Sequence, residues 1–150
     1  MNNTGSSYIS TDDFFQSVQP QQLSQYSGHT QDTTGCLFIP EPLQYRTKDN
    51  TVESLPCFIS CSKDNTIRLW SRSTTTSSSN NYCLCEYVQS DAEGFTAITL
   101  LNSTTNNNDT NDTFTYPKIV GVTNNGNIYT YQIVYKQDQQ KFELQLLART

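Results

Sequence analysis

Sliding the chain along itself by 61 residues superposes Phe58–Trp70 on residues 119–131 without a gap, and this internal repeat constrains the fold more than any other feature. At the same offset Leu23 meets Leu84, Tyr26 meets Tyr87, Asn50 meets Asn111, Pro56 meets Pro117 and Ile67 meets Ile128. Within the best-matched stretch Asp64 falls opposite Asn125 and Trp70 opposite Tyr131. The identities are few, so the shared pattern carries the repeat. A fixed period means two copies of one supersecondary unit, neither of which buries its apolar face alone.

Short apolar runs define what the unit is made of. They fall at residues 22–26, 35–39, 57–61, 66–71, 82–88, 95–101, 118–122, 127–134 and 141–147, rich in Ile, Val, Tyr, Phe and Thr. None holds a helical period for more than one turn, so all are expected to be strands and the chain all-β. Four strands per unit give two antiparallel sheets, at 35–88 and 95–147, preceded by a lone strand at 22–26 and a polar extension at 1–21. The period exceeds the ~40–45 residues of a compact four-stranded repeat, and inserts such as 41–56 and 102–116 account for the excess.

Composition narrows the chemistry. Charged residues are only 15% of the chain and the net charge is −5. A surface that tracks phosphates needs the opposite sign, so nucleic acid is not an expected partner. No apolar run approaches the ~18–20 residues that span a bilayer, and residues 1–10 lack the basic and apolar regions of a secretion signal, so no membrane contact is expected and the cytoplasm or nucleus is the expected location. The five cysteines, at 36, 57, 61, 83 and 85, are then expected to be reduced. Cys57 and Cys61 on an extended strand would lie ~13 Å apart, too far to share one tetrahedral ion, so neither metal nor other cofactor is expected. They read as small buried hydrophobes.

Gly28-His29 precedes Trp70-Ser71 by about one unit, and the segment from Ser60 through Lys63-Asp64-Asn65-Thr66 to Trp70 closes it. This resembles the WD40 repeat. The resemblance implies a partial WD40 β-propeller: about two four-stranded antiparallel blades, with strand 22–26 as the outer strand of the ring-closing blade. In that family a histidine, a Ser/Thr, an aspartate and a tryptophan form a buried hydrogen-bond relay, here matched by His29, Ser60, Asp64 and Trp70. Such a relay is physically reasonable, because each group needs a partner once water is excluded and each supplies what the next lacks. Asn65 suits the turn, since it tolerates the left-handed region. The second repeat has Ser90, Gly121, Asn125 and Tyr131 at the relay positions, so its relay is expected to be lost and its blade degenerate.

A Ser, a His and an Asp also invite a hydrolase reading. There is no Gly-x-Ser-x-Gly elbow and no strand-turn-helix context for it, so the chain is expected not to be an enzyme. Antiparallel alternation sends the long segments 41–56, 72–81, 102–116 and 135–140 to one face. The short loops 27–34, 62–65, 89–94 and 123–126 go to the other, where a protein partner can dock. Candidate contacts on that rim are Gln31, Asp32, Lys63, Glu93 and Phe95, with Phe95 as the large apolar anchor.

Residues 23–32, followed by the stretch 62–72, resemble the N-terminus of the phospholipase-A2-activating-protein family, departing from it at Thr33-Thr34. That resemblance covers roughly residues 22–72. It implies a propeller that binds ubiquitin and, through later domains absent here, an AAA segregase ATPase. It also implies a chain that is a piece of a larger ring. The alternative is a purely structural blade pair whose parent protein binds elsewhere.

Overall fold

The computed structural model describes residues 25–72, 82–90, 92–102 and 114–150, and among them every regular element is a strand. The strands are β1 (Thr33–Phe38), β2 (Leu43–Arg46), β3 (Val52–Leu55), β4 (Cys57–Ser62), β5 (Thr66–Ser71), β6 (Cys83–Val88), β7 (Phe95–Leu101), β8 (Lys118–Thr123), β9 (Ile128–Lys136) and β10 (Lys141–Arg149). Two four-stranded sheets, β1-β4-β5-β6 and β7-β8-β9-β10, and a hairpin, β2-β3, are antiparallel throughout, and none closes on itself. The two large sheets stack in the same sense, β1 and β4 against β7 and β6 against β10.

Burial follows from how many faces each strand has covered. β8 and β9 alternate: Ile119, Gly121 and Thr123, then Tyr129, Tyr131 and Ile133, point to the first sheet while their neighbours stay partly open. β4 is buried at all six positions, and β5 at all but Arg68. One face of these two strands, carrying Cys57, Ile59, Cys61, Ile67 and Leu69, packs on the second sheet as the main core. On the other, Tyr26 covers Phe58 and Trp70, with ring centroids 4.7 and 5.8 Å away. Gly35 marks a close approach of the two sheets: a Cβ there would stand 2.8 Å from the Ile98 side chain of β7 and 3.0 Å from the Cys61 sulfur of its own sheet.

Several expectations change. Residues 41–56 were expected to be an insert without strands, yet they form the β2-β3 hairpin, turning at Asn50 (φ 63°). Leu43 buries itself in the core, and Tyr45 docks on Tyr135 and Phe142 of the second sheet at 5.1 and 5.7 Å. The 135–140 insert shrinks to a tight turn, because β9 continues through Lys136. Gln25 and Tyr26 are not in a strand, and the rest of the expected 22–26 strand lies outside the described residues, as do 1–21, 73–81 and 103–113. Cys57 and Cys61 are buried as expected, Cys83 and Cys85 are half-buried, and Cys36 is exposed; all five are thiols. Burial pushes the Cys57 and Cys85 thiols up to about 12.

Candidate functional site

Residues 28–30, ahead of β1, lie on the outer face of β4 and β5 because Gly28 lets the chain approach closely; a Cβ there would stand 2.6 Å from Arg68 and 3.0 Å from the Trp70 ring. This brings the four residues matched to the relay into one connected set. The Trp70 indole Nε1–H donates to Ser60 Oγ at 2.7 Å, Ser60 Oγ lies 2.7 Å from His29 Nε2, and His29 Nδ1 lies 3.0 Å from Asp64 Oδ2. An ionised Asp64 only accepts, so His29 carries a proton on Nδ1 and donates it to Asp64, while the Ser60 hydroxyl, which accepts from Trp70, pairs with Nε2.

Asp64 also accepts from the Thr30 amide (2.9 Å), the Thr66 amide (3.0 Å) and the Thr66 hydroxyl (2.6 Å). Burial works to raise its pKa, but the hydrogen bonds from Thr66, Thr30 and His29 outweigh it and hold the carboxyl down at about 2. The β4-β5 turn that presents Asp64 ends at Asn65 with φ 59°, and Gly126 takes the equivalent place in the β8-β9 turn with φ 80°. The relay therefore ties a loop to two strands and a turn through side chains that are almost wholly enclosed.

The second sheet replaces the relay with a different network. Gln89 accepts from the Tyr131 hydroxyl at 3.0 Å, while Glu93 accepts from the Thr123 hydroxyl at 2.7 Å and the Asn127 amide at 2.8 Å. Those two bonds keep the Glu93 carboxyl below its ordinary range. Gly121, in the place of Ser60, leaves space that the Phe95 ring fills; a Cβ on Gly121 would stand 2.8 Å from that ring. Neither Gln89 nor Glu93 was singled out as a member of a network. The available signal was their position in the loop ahead of β7, matching Gly28 and Asp32 ahead of β1.

The short loops do converge at one end. The Lys63 amide donates to Asp32 O (3.0 Å), the Asn65 side-chain amide to Gln89 O (2.9 Å) and the Asn124 amide to Gly94 O (2.9 Å). Of the five rim candidates, Gln31, Asp32 and Lys63 are exposed there, and Asp32 and Lys63 form an ion pair at 2.9 Å. The other two are corrected. Phe95 has no exposed surface and belongs to the core over Gly121, and Glu93 is buried at 4% exposure by its own hydrogen bonds. At the opposite end Gln140 reaches Arg46 O and Tyr45 meets Tyr135, so the β2-β3 hairpin and the β9-β10 turn share that end. A cleft of about 670 Å³ opens there, lined in part by Pro40, Pro42, Leu43, Phe114, Tyr116 and Pro117.

Among the described residues no group of His, Cys, Asp or Glu is placed to hold a metal ion, and no helix is long and apolar enough to cross a membrane. Compared with known protein families, curated proteins and solved structures, the chain matches none.

Proposed function

We propose that the chain supplies two blades of a WD-type β-propeller and acts as a scaffold that holds other proteins. The observation that carries this reading is the relay, which joins the loop ahead of β1 to β4, the β4-β5 turn and β5 in the order the WD40 resemblance implies. The sheet topology is compatible with it: in each large sheet the strands pair in chain order, and the sheets stack first strand on first and fourth on fourth. Tyr26 supports it further. Its ring lies against Trp70 as that of Tyr87, 61 residues on, lies against Tyr131, so it stands where the outer strand of a preceding blade would be.

The Ser60 environment favours a structural role for the Ser/His/Asp set. Its hydroxyl is enclosed at 4% exposure, accepts the Trp70 indole N–H and is hydrogen-bonded to His29 Nε2, whereas a nucleophile needs a free approach. Binding then falls to the loop end, where Gln31, Asp32 and Lys63 offer hydrogen bonds and both signs of charge on a backbone pinned by neighbouring turns. The partner implied by resemblance is ubiquitin. Titrating ubiquitin into isotope-labelled chain is expected to shift the amide resonances of residues 31, 32 and 63, and Lys63→Glu to weaken binding by roughly tenfold through charge reversal. A folded chain whose resonances do not move would contradict ubiquitin recognition and favour a structural blade pair.

A further inference from the structure

The second repeat carries an amide where the first carries its relay carboxylate: Asn125 stands at the position of Asp64, and Gly126 at that of Asn65. The exchange creates an Asn-Gly pair, and among the asparagines of the chain Asn125 alone is followed by glycine. An asparagine side chain is open to attack by the amide nitrogen of the next residue, and a side chain on that residue obstructs the approach; glycine has none. Asn50 and Asn65, which take left-handed turn positions, are each followed by a β-branched threonine. Residues 124–126 are exposed in the β8-β9 turn, and among the described residues no group lies within 4 Å of where a Gly126 side chain would begin. The Gly126 amide is hydrogen-bonded locally, to Thr123 O at 3.0 Å.

We propose that Asn125 is a deamidation site, and that its conversion to a carboxylate works against Glu93 and loosens the loop end of the second sheet. In the step, the Gly126 nitrogen gives up its proton and bonds to the side-chain carbonyl carbon of Asn125, and ammonia leaves. Water then opens the resulting cyclic imide at either carbonyl, giving aspartate or, with the main chain rerouted through the side chain, isoaspartate. The net change is water in, ammonia out and a new negative charge. In the first repeat the carboxylate at this position is met by the Thr30 and Thr66 amides and the Thr66 hydroxyl. In the second, Glu93 already takes the donors: the Thr123 hydroxyl, the Asn127 side-chain amide and that of Asn125 itself. Deamidation replaces this last donor by an acceptor of the same charge as Glu93, beside a carboxylate that is 4% exposed. The isoaspartate product also lengthens the main chain by a methylene where the Asn124 amide reaches Gly94 O at 2.9 Å and the Thr123 amide reaches Asn127 O at 3.0 Å, so turn and loop lose their fit.

Peptide mapping by mass spectrometry, on the folded chain held at mildly alkaline pH, tests the site. Asn125 is expected to convert ahead of every other asparagine, to a mixture of aspartate and isoaspartate. Gly126→Asn is expected to slow it to the pace of the others while keeping the turn, because asparagine accepts the left-handed position as Asn65 does one repeat earlier. Conversion in denaturant but not in the folded chain, or another asparagine converting first, would overturn the site. Asn125→Asp stands in for the aspartate product. In its magnetic resonance spectra the amides of residues 93, 123 and 127 are expected to shift, and those of 124 and 126 to exchange with solvent roughly tenfold faster. Asn125→Ala, which removes the donor without adding a charge, is expected to have the smaller effect. An Asn125→Asp chain whose turn amides exchange as in the parent, or no faster than in Asn125→Ala, would overturn the conflict with Glu93.

Discussion

Asp64→Ala is expected to destabilise the fold by ~3–5 kcal/mol, the cost of removing one partner from an enclosed, charged hydrogen-bond set. The side chain accepts from four donors, the Thr30 and Thr66 amides, the Thr66 hydroxyl and the His29 ring, and alanine orphans all of them. Denaturant unfolding followed by Trp70 fluorescence reads this directly; a loss under ~1 kcal/mol, the scale of one ordinary hydrogen bond, would mean that the set is not a unit. The same carboxylate gives the fold a pH dependence of known sign. Its pKa lies at about 2 in the folded chain against an ordinary value of 3.8, so its contribution is complete above 3.8 and disappears as the pH falls through about 2. Asp64→Asn cannot titrate and is expected to lose that part of the acid sensitivity.

Phe95→Ala is expected to cost ~3–5 kcal/mol as well, by opening a cavity in the core. The ring is fully buried, 6.3 Å from that of Tyr131, and fills the space above Gly121. The reverse error is a side chain on the glycine. Gly121→Ala would bring its Cβ to 2.8 Å from Phe95 and 3.4 Å from Ile67, and both neighbours are enclosed, so overpacking is expected to cost ~1–3 kcal/mol. In the double variant the new methyl occupies part of the vacated space. The cost of the double variant should fall short of the sum of the two single costs by ~1 kcal/mol or more in a denaturation cycle, and simple additivity would contradict the packing described.

That pair of residues also shows where the sequence ceased to be readable. Phe95 opens an apolar run just after a short loop, a place where a large side chain reads equally well as a strand residue or as an exposed anchor. Its burial follows from Gly121, 26 positions away, and only the β7-β8 register brings the two together. Glu93 is similar: a carboxylate in a loop reads as solvated until Thr123 and Asn127 are folded back onto it. The β2-β3 hairpin is not legible in the sequence because Leu43, Tyr45 and Leu55 alternate over only four-residue strands, too short to rise above a polar background.

By contrast, β5 and β7 span the same residues as the apolar runs that marked them, and β4, β6, β8, β9 and β10 overlap theirs closely. There the period of two is reinforced by β-branched and aromatic residues and by turn residues at fixed places. Asn65 and Gly126 occupy the same left-handed position one repeat apart, so local turn chemistry and the long-range repeat agree. The relay was legible for a related reason. Its members are polar residue types with few comfortable places in a β core other than against each other.

The chain contains one histidine and one tryptophan, so the relay can be observed without ambiguity of assignment. The most direct measurement is magnetic resonance of these two rings in the folded chain, with hydrogen exchange at the Trp70 indole. The expected result is a His29 protonated on Nδ1, and a Trp70 Nε1–H that exchanges as slowly as the amides of β4 and β5 and is released by Ser60→Ala. An indole proton exchanging as freely as an exposed one, or a His29 protonated on Nε2 alone, would contradict the relay and with it the scaffold reading that rests on it.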